Sequence, residues 1–417
     1  MLQADQKPFE IRFDRVVSAY KAVKANKGSA GVDDVSLEAY EEDLQGNLYK
    51  LWNRMSSGSY FPQAVRQVEI AKKGGGKRPL GIPTVSDRVA QAVVKRELEI
   101  EVEPVFHEDS FGYRPGRSMQ DALKKTRERC WKFDWVIDLD IQSFFEDIPH
   151  DLLMKAVRKH AVVKWQLLYI ERWLKVPVQQ GDGQTRLREK GTPQGGVISP
   201  LLANLYLHYC FDEWMRRNIG HCPFERYADD IVVHCQTRKQ AIWVKHRIEE
   251  RLIQCGLKMH PVKTKIVDCR RDEACRESEH QEFDFLGHTF RKRKARTKTG
   301  DFFTSYLPAV SKKSIQSIRG KLKESEALVK VNNTLKEVAR ELNPQIRGWF
   351  QSYGQFYTSE LKKQLQCING RLLLWVRRKY KRLRSRWKAL IWLRTIAIQE
   401  PALFEHWRQG VTPLVRQ

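Results

Sequence analysis

Acidic residues are scarce in this 417-residue chain. It has 50 aspartates and glutamates against 75 lysines and arginines, giving a formal net charge of +25 and a pI near 9.7. An excess of this size argues against a cationic partner and for a polyanionic one. Cysteine is sparse and scattered. The eight cysteines include no Cys-x-x-Cys pair, so neither a disulfide framework nor a zinc ribbon is expected, and Cys269, Cys275 and His280 are spaced too loosely for a zinc site. No run approaches the ~20 apolar residues of a membrane span, and Met1–Lys7 lacks a signal-peptide pattern, so a cytoplasmic protein with no membrane partner is expected. No internal repeat is found.

The charge is unevenly placed. From Arg291 to Gln417 there are 29 lysines and arginines against 8 acids, a net +21 in the last third. A segment this basic should bind phosphate backbones with steep salt dependence. Trp375, Trp387 and Trp392 interleave with its cations at helix-compatible intervals and are read as packing anchors rather than base-stacking platforms.

Tyr227-Ala228-Asp229-Asp230 lies inside an apolar stretch from Phe224 to Cys235, where two adjacent carboxylates are costly unless a cation neutralises them. Two short strands with Ala228, Asp229 and Asp230 in the turn between them fit the pattern. Alone, the pair reads equally well as an ordinary surface turn. A second acidic element is Trp135 to Asp147, where an apolar run predicts a strand with Asp138 and Asp140 on one face. Together the two elements can hold two divalent ions about 3.5–4 Å apart, the arrangement that supports in-line attack of a hydroxyl on a phosphate. The third element is the glycine-rich Gly191 to Pro200. Gln194 there offers an amide to a base or sugar, and Ser199 and Pro200 form a suitable N-cap and first residue for a helix to about Arg217.

These elements, in this order, resemble the reverse transcriptases of mobile group II introns, the intron-encoded maturases. The resemblance covers nearly the whole chain. It includes Asn26–Asp33, Lys77–Pro83, Phe111–Ser118, Gly256–Lys265, Phe283–Gly287 and the maturase-like Leu342–Tyr357. It implies an α+β right-hand polymerase: an N-terminal extension and fingers over residues 1–110, a palm over 111–290 and a helical thumb with a basic tail over 291–417. Ser86 to Arg96 reads as a helix, as does Leu361–Lys379. Arg291 to Gly300 reads as an exposed linker or hairpin.

Carried onto this chain, the family motifs make Asp140, Asp229 and Asp230 the metal-binding carboxylates, with the Ile141 carbonyl completing the coordination. The cofactor would be two Mg²⁺ ions, with Mn²⁺ able to substitute. Asp138 is left out because the motif places the ligand directly before Ile141. Phe145 falls where deoxynucleotide polymerases carry a bulky side chain under the sugar. Lys72 and Arg78 flank a glycine hairpin and match the triphosphate-binding positions, and Lys263, with Lys265 as alternative, would support the leaving pyrophosphate. Gln142-Ser143 departs from the family pattern, in which a basic residue often follows the isoleucine.

The expected activity is RNA-directed DNA synthesis from dNTPs, on an RNA template with a DNA or RNA primer. Binding of a group II intron RNA would support splicing and retrohoming in a bacterial cytoplasm. The chain stops without the family's metal-dependent endonuclease, so the shorter form, primed at a nick or replication fork, is expected. Two alternatives stay open: a host-adopted relative in DNA repair or antiviral defence, and a non-enzymatic maturase that only binds RNA.

Overall fold

The structure is a computed structural model and describes residues 7–71, 77–270, 279–296 and 300–414. It mixes helices with mainly antiparallel sheets. The chain divides into two compact units, one of residues 1–122 and 137–266 and the other of residues 123–136 and 267–417. Among the described residues no helix is long and apolar enough to cross a membrane, and the seven described cysteines are free thiols.

In the first unit, the helices Phe13–Asn26, Leu37–Glu42 and Leu44–Ser56 precede the antiparallel pair β1 (Val65–Ala71) and β2 (Lys77–Ile82), in register from Arg66↔Ile82 to Ala71↔Lys77. The tip of this hairpin, with Lys72, lies outside the described residues. The helix predicted from Ser86 runs Val85–Val102, and the Thr84 side chain caps it by accepting a bond from the Asp87 amide at 3.1 Å.

The remaining strands of this chain region are β3 (Trp135–Leu139), β4 (Ile141–Gln142), β5 (Val178–Gln179), β6 (Thr185–Arg186), β7 (Phe224–Tyr227), β8 (Asp230–Cys235), β9 (Lys258–Met259) and β10 (Lys265–Asp268). They form sheets of order β2-β1-β5-β6, β10-β3-β8-β7 and β4-β9. β3 buries Trp135, Val136, Ile137 and Leu139, as a central strand must.

Two local expectations shift. β3 stops at Leu139, so Asp140 is not carried on the same pleat as Asp138 but sits at the joint with β4. The helix after the glycine loop takes Ser199 as its first residue rather than its cap, and the cap position falls to Ile198, which has no side-chain acceptor; the Ser199 hydroxyl instead accepts from Thr192 Oγ1 at 2.7 Å. That helix runs to Leu207, opens into a π-turn over His208–Asp212 and resumes over Glu213–Asn218. π-turns of this kind often accompany functional sites.

In the second unit, β11 (Glu282–Phe285), β12 (His288–Arg296) and β13 (Phe302–Val310) form an antiparallel sheet. The basic run from Arg291 is strand as far as Arg296, paired from Arg291↔Leu307 to Arg296↔Phe302, and residues 297–299 lie outside the described residues. The helices Lys312–Glu324, Leu335–Tyr353, Thr358–Lys379 and Arg386–Gln399 surround a core in which Leu342, Ile346, Leu361, Leu365, Leu372 and Trp375 are wholly buried. Pro344 interrupts the hydrogen bonding of the second of these helices, and a capping box between Thr334 and Glu337 secures its start. Asn369 fastens the last segment by accepting from His406 Nε2 at 3.0 Å and Trp407 Nε1 at 2.8 Å.

Trp375 is a core residue, as expected, and Trp392 packs half-buried against the core. Trp387 is not, since it is 56 % exposed. The buried stripe of its helix is Ala389, Leu393 and Ala397, spaced by four, and Trp387 falls on the opposite face.

Candidate active site

β7 and β8 are antiparallel, with Tyr227 opposite Asp230, so Ala228 and Asp229 alone form the turn and Asp230 opens β8. Ala228 is left-handed, φ +56°, in a position a hairpin turn usually gives to glycine. Strain of about 1 kcal/mol at such a site persists only when the surroundings hold it.

Here a buried arginine does so. Arg226 donates to Asp212 through Nε at 2.7 Å and Nη2 at 2.5 Å, and both side chains are wholly buried. Its Nη1 reaches Asn204 Oδ1 at 2.9 Å and the Ala228 carbonyl at 3.2 Å. The guanidinium thus ties the Ala228-Asp229 turn to the π-turn and the helix before it. A second buried pair, His234 with Glu225 at 2.7 Å, stiffens the same hairpin.

Asp140 is held from the other side. Its amide donates to Thr264 Oγ1 at 3.2 Å, and its carbonyl accepts from the His260 amide at 2.8 Å. The His260–Asp140 backbone bond lies one residue beyond the Ile141↔Met259 pair of the β4-β9 ladder, so Asp140 is fixed where that ladder begins. Lys263 Nζ sits 3.1 Å from Asp140 Oδ2.

The Asp229 carboxyl is held above the ordinary carboxylate range, mainly by burial; the Asp140 charge adds to the shift, while Arg78 and Arg226 oppose it. Asp140, Asp229 and Arg78 therefore lie in one electrostatic neighbourhood, with Asp230 adjacent in sequence and exposed. Among the described residues no group of three or more His, Cys, Asp or Glu side chains is arranged to hold a metal ion. The donor set still fits a hard divalent cation: oxygen ligands only, one carboxyl disfavoured when charged, and an ammonium already balancing another.

The loop Gly191–Gly196 gathers the remaining candidates. The Thr192 amide donates to the Phe145 carbonyl at 2.8 Å, and Gln194 accepts from the Gly81 amide at 2.6 Å through its own carbonyl. The Arg78 Nε donates to the Gln194 side chain. At Gly195, φ is +116° and a Cβ would stand 2.3 Å from the Gly81 carbonyl, so only glycine lets the loop lie against β2. Phe145 is 7 % exposed and packs edge-on against Phe144, with ring centres 5.3 Å apart. Ser143, left-handed at φ +45°, turns the chain from β4 into that helical turn.

Sequence reasoning missed the supports: Thr264 and His260 beneath Asp140, and Asp212 and Asn204 around Arg226. Arg226 carried a signal, a charge inside an apolar run beside the acidic pair. Asp212 carried none, because 14 residues of chain separate it from its partner.

A reverse transcriptase (RNA-dependent DNA polymerase) family model matches residues 70–290, and a group II intron maturase-specific domain matches residues 315–391. The group II intron-encoded protein LtrA of Lactococcus lactis subsp. cremoris is 36% identical over 210 residues, 48% of this chain and 33% of LtrA. Protein YkfC of Escherichia coli K12 is 35% identical over 209 residues, 48% of this chain and 54% of YkfC. This chain therefore spans about a third to a half of those relatives. Among solved structures, a Candida albicans telomerase complexed with a fragment of telomeric RNA covers 90% of this chain and 67% of its own, at 14% identity and a TM-score of 0.47.

Proposed function

The chain belongs to the reverse transcriptase (RNA-dependent DNA polymerase) family, and from that premise we propose that it copies RNA into DNA and binds a group II intron RNA as a splicing cofactor. The observation that carries this reading is the shared neighbourhood of Asp140, Asp229 and Arg78, with Arg78 bonded to Gln194. A nucleotidyl-transfer site needs the same association of acids with a phosphate-binding cation.

The family uses divalent metal ions; we assign two Mg²⁺ to Asp140, Asp229, Asp230 and the Ile141 carbonyl. When bound, they would favour the ionised primer 3′-hydroxyl and stabilise charge on the triphosphate. The hydroxyl oxygen bonds to the α-phosphorus of a dNTP as the bond to pyrophosphate breaks. Arg78 and Lys72 orient the triphosphate, Gln194 holds Arg78, and Lys263, released from Asp140, can give a proton to the departing pyrophosphate. Residues 1–110, 111–290 and 291–417 act in this reading as fingers, palm and thumb.

Primer extension on an RNA template with Mg²⁺, comparing deoxynucleotides with ribonucleotides, tests the reading. Deoxynucleotide-dependent extension supports it. Failure to extend, despite tight salt-sensitive RNA binding, would leave a maturase acting by binding alone.

Phe145 is assigned the exclusion of the 2′-hydroxyl. Phe145→Ala should raise ribonucleotide incorporation relative to deoxynucleotide about tenfold, measured as the ratio of the two kcat/KM values. An unchanged ratio would reduce Phe145 to a core aromatic.

RNA binding is assigned to the basic second unit. There Lys323, Arg371, Arg377, Arg378 and Arg384 line one cavity of about 570 Å³ with Leu328, Val329 and Leu374. Among the described residues none of the five cations has an ion-pair partner. Five unneutralised charges facing one cavity favour a phosphate backbone as counter-ion. The double variant Arg371→Gln/Arg384→Gln should weaken RNA binding about tenfold and reduce the slope of log K against log salt by ~1–2. Fluorescence anisotropy across a salt series reads both, and an unaltered slope would place the RNA elsewhere.

A further inference from the structure

The segment Phe111–Ser118 is not accounted for by the reading above, yet the first unit builds part of it against the catalytic turn. The Phe111 amide donates to the Arg226 carbonyl at 2.8 Å, the Arg226 amide donates to the Asp109 carbonyl at 2.9 Å, and Ser110 bridges Arg226 as an isolated parallel pair. Asn204, which also bonds Arg226, donates from Nδ2 to the Gly112 carbonyl at 2.6 Å. Gly112 lies so close to the turn that a Cβ there would stand 2.5 Å from the Ala228 nitrogen. The backbone of residues 110–112 therefore registers directly on Tyr227-Ala228.

Both sides of Tyr113 are pinned. Arg114 on the far side is 9 % exposed and donates to Glu103 Oε1 at 2.9 Å and to the His107 and Ser110 carbonyls at 2.7 Å each. Tyr113 itself has φ +56°, a left-handed backbone that non-glycine residues adopt at a cost. Its ring is 55 % exposed, in a unit whose other aromatics are mostly buried. It stands 6.4 Å from the Tyr227 ring, tilted at 45°. Its phenol lies within electrostatic reach of Asp229, Tyr227, Arg78 and Asp230, and among the described residues its hydroxyl makes no hydrogen bond.

A half-exposed, strained aromatic beside Tyr227 and within electrostatic reach of Arg78 and the candidate acids gains little from packing. A strained outlier in such a place points to function rather than to stability. Its usable chemistry is the flat face, which every nucleobase and sugar can contact.

We propose that Tyr113 positions the incoming nucleotide, its ring packing against the sugar and base of the dNTP beside Tyr227. The inference rests on the polymerase reading above. The ring matters and the hydroxyl does not, which separates this role from proton transfer. The left-handed backbone aims the ring at the site, and the Gly112 and Arg114 contacts keep it there.

The test is steady-state primer extension on an RNA template with the wild-type chain and Tyr113→Ala, Tyr113→Gly and Tyr113→Phe. Alanine and glycine should each raise the dNTP KM about tenfold, the scale of one lost aromatic stack, with the primer–template Kd unchanged. Phenylalanine should stay within about twofold of wild type. Glycine is the discriminating variant. It suits φ +56°, so its thermal midpoint should be no lower than wild type, whereas a packing role predicts a lower one.

An unchanged dNTP KM in both the alanine and glycine variants, or a loss confined to primer–template Kd, overturns the proposal. A wild-type chain that extends no primer overturns instead the polymerase reading beneath it.

Discussion

Asp229→Asn is expected to lower primer extension on the order of 10³–10⁴-fold while leaving RNA affinity within about twofold. The carboxamide keeps the shape of the turn and removes one of the anionic ligands proposed for the metal ions. The same substitution should stabilise the metal-free fold. Burial, with Asp140 adding, raises the folded-state pKa of Asp229. A raised carboxyl contributes stability that is fully present below its unfolded pKa and is lost as pH rises through the folded value, so at neutral pH the ionised group weighs against folding.

Thermal unfolding without divalent ions should therefore show a higher midpoint for the variant at pH 7. The difference should shrink as pH falls below the carboxylate range. Added Mg²⁺ should raise the wild-type midpoint and leave the variant nearly unmoved, since an ion that binds only the folded state stabilises it by mass action. Wild-type rates of synthesis in the variant would remove Asp229 from the catalytic set.

Arg226→Met is expected to cost about 3–5 kcal/mol of stability, the largest effect foreseen for a residue that touches no substrate. The loss is more than two hydrogen bonds. Asp212 would remain wholly buried with its charge unpaired, and the Ala228 carbonyl would lose its donor in a left-handed turn. Chemical denaturation measures the loss.

Replacing Asp212 by leucine in the same chain removes the stranded charge and should recover most of that stability. It should not recover primer extension, because nothing in the apolar pair holds the Ala228 carbonyl. Full recovery of both would show that the pair serves folding alone and that the turn needs no tether.

The resemblance of the motifs is enough for the family. Tyr227 to Asp230, Asp140-Ile141 and Gly191 to Pro200 are short contiguous runs, and the chemistry of each is local: acids in an apolar setting, glycines where backbones approach. The helices Val85–Val102 and Thr358–Lys379 were legible from the same kind of local pattern. The exact end of β3 was not, because it depends on Thr264 taking the Asp140 amide out of the ladder. The exposure of Trp387 was also hidden, since helical spacing says which residues share a face but not which face is covered.

By itself the sequence determined the basic character of the chain, its reverse transcriptase family, the three candidate aspartates, and the cationic nature of the last third with the helices inside it. Those features rest on composition and on residues close together in the chain. Only the tertiary structure decided what holds the acids in place and what faces them. Arg226 finds Asp212 14 positions away, Arg78 finds Gln194 116 away and Lys263 finds Asp140 123 away. Tyr113 reaches Tyr227 only because Gly112 lies against the Tyr227-Ala228 backbone. Such pairings are set by packing, which brings together residues whose separation along the chain carries no periodic signal.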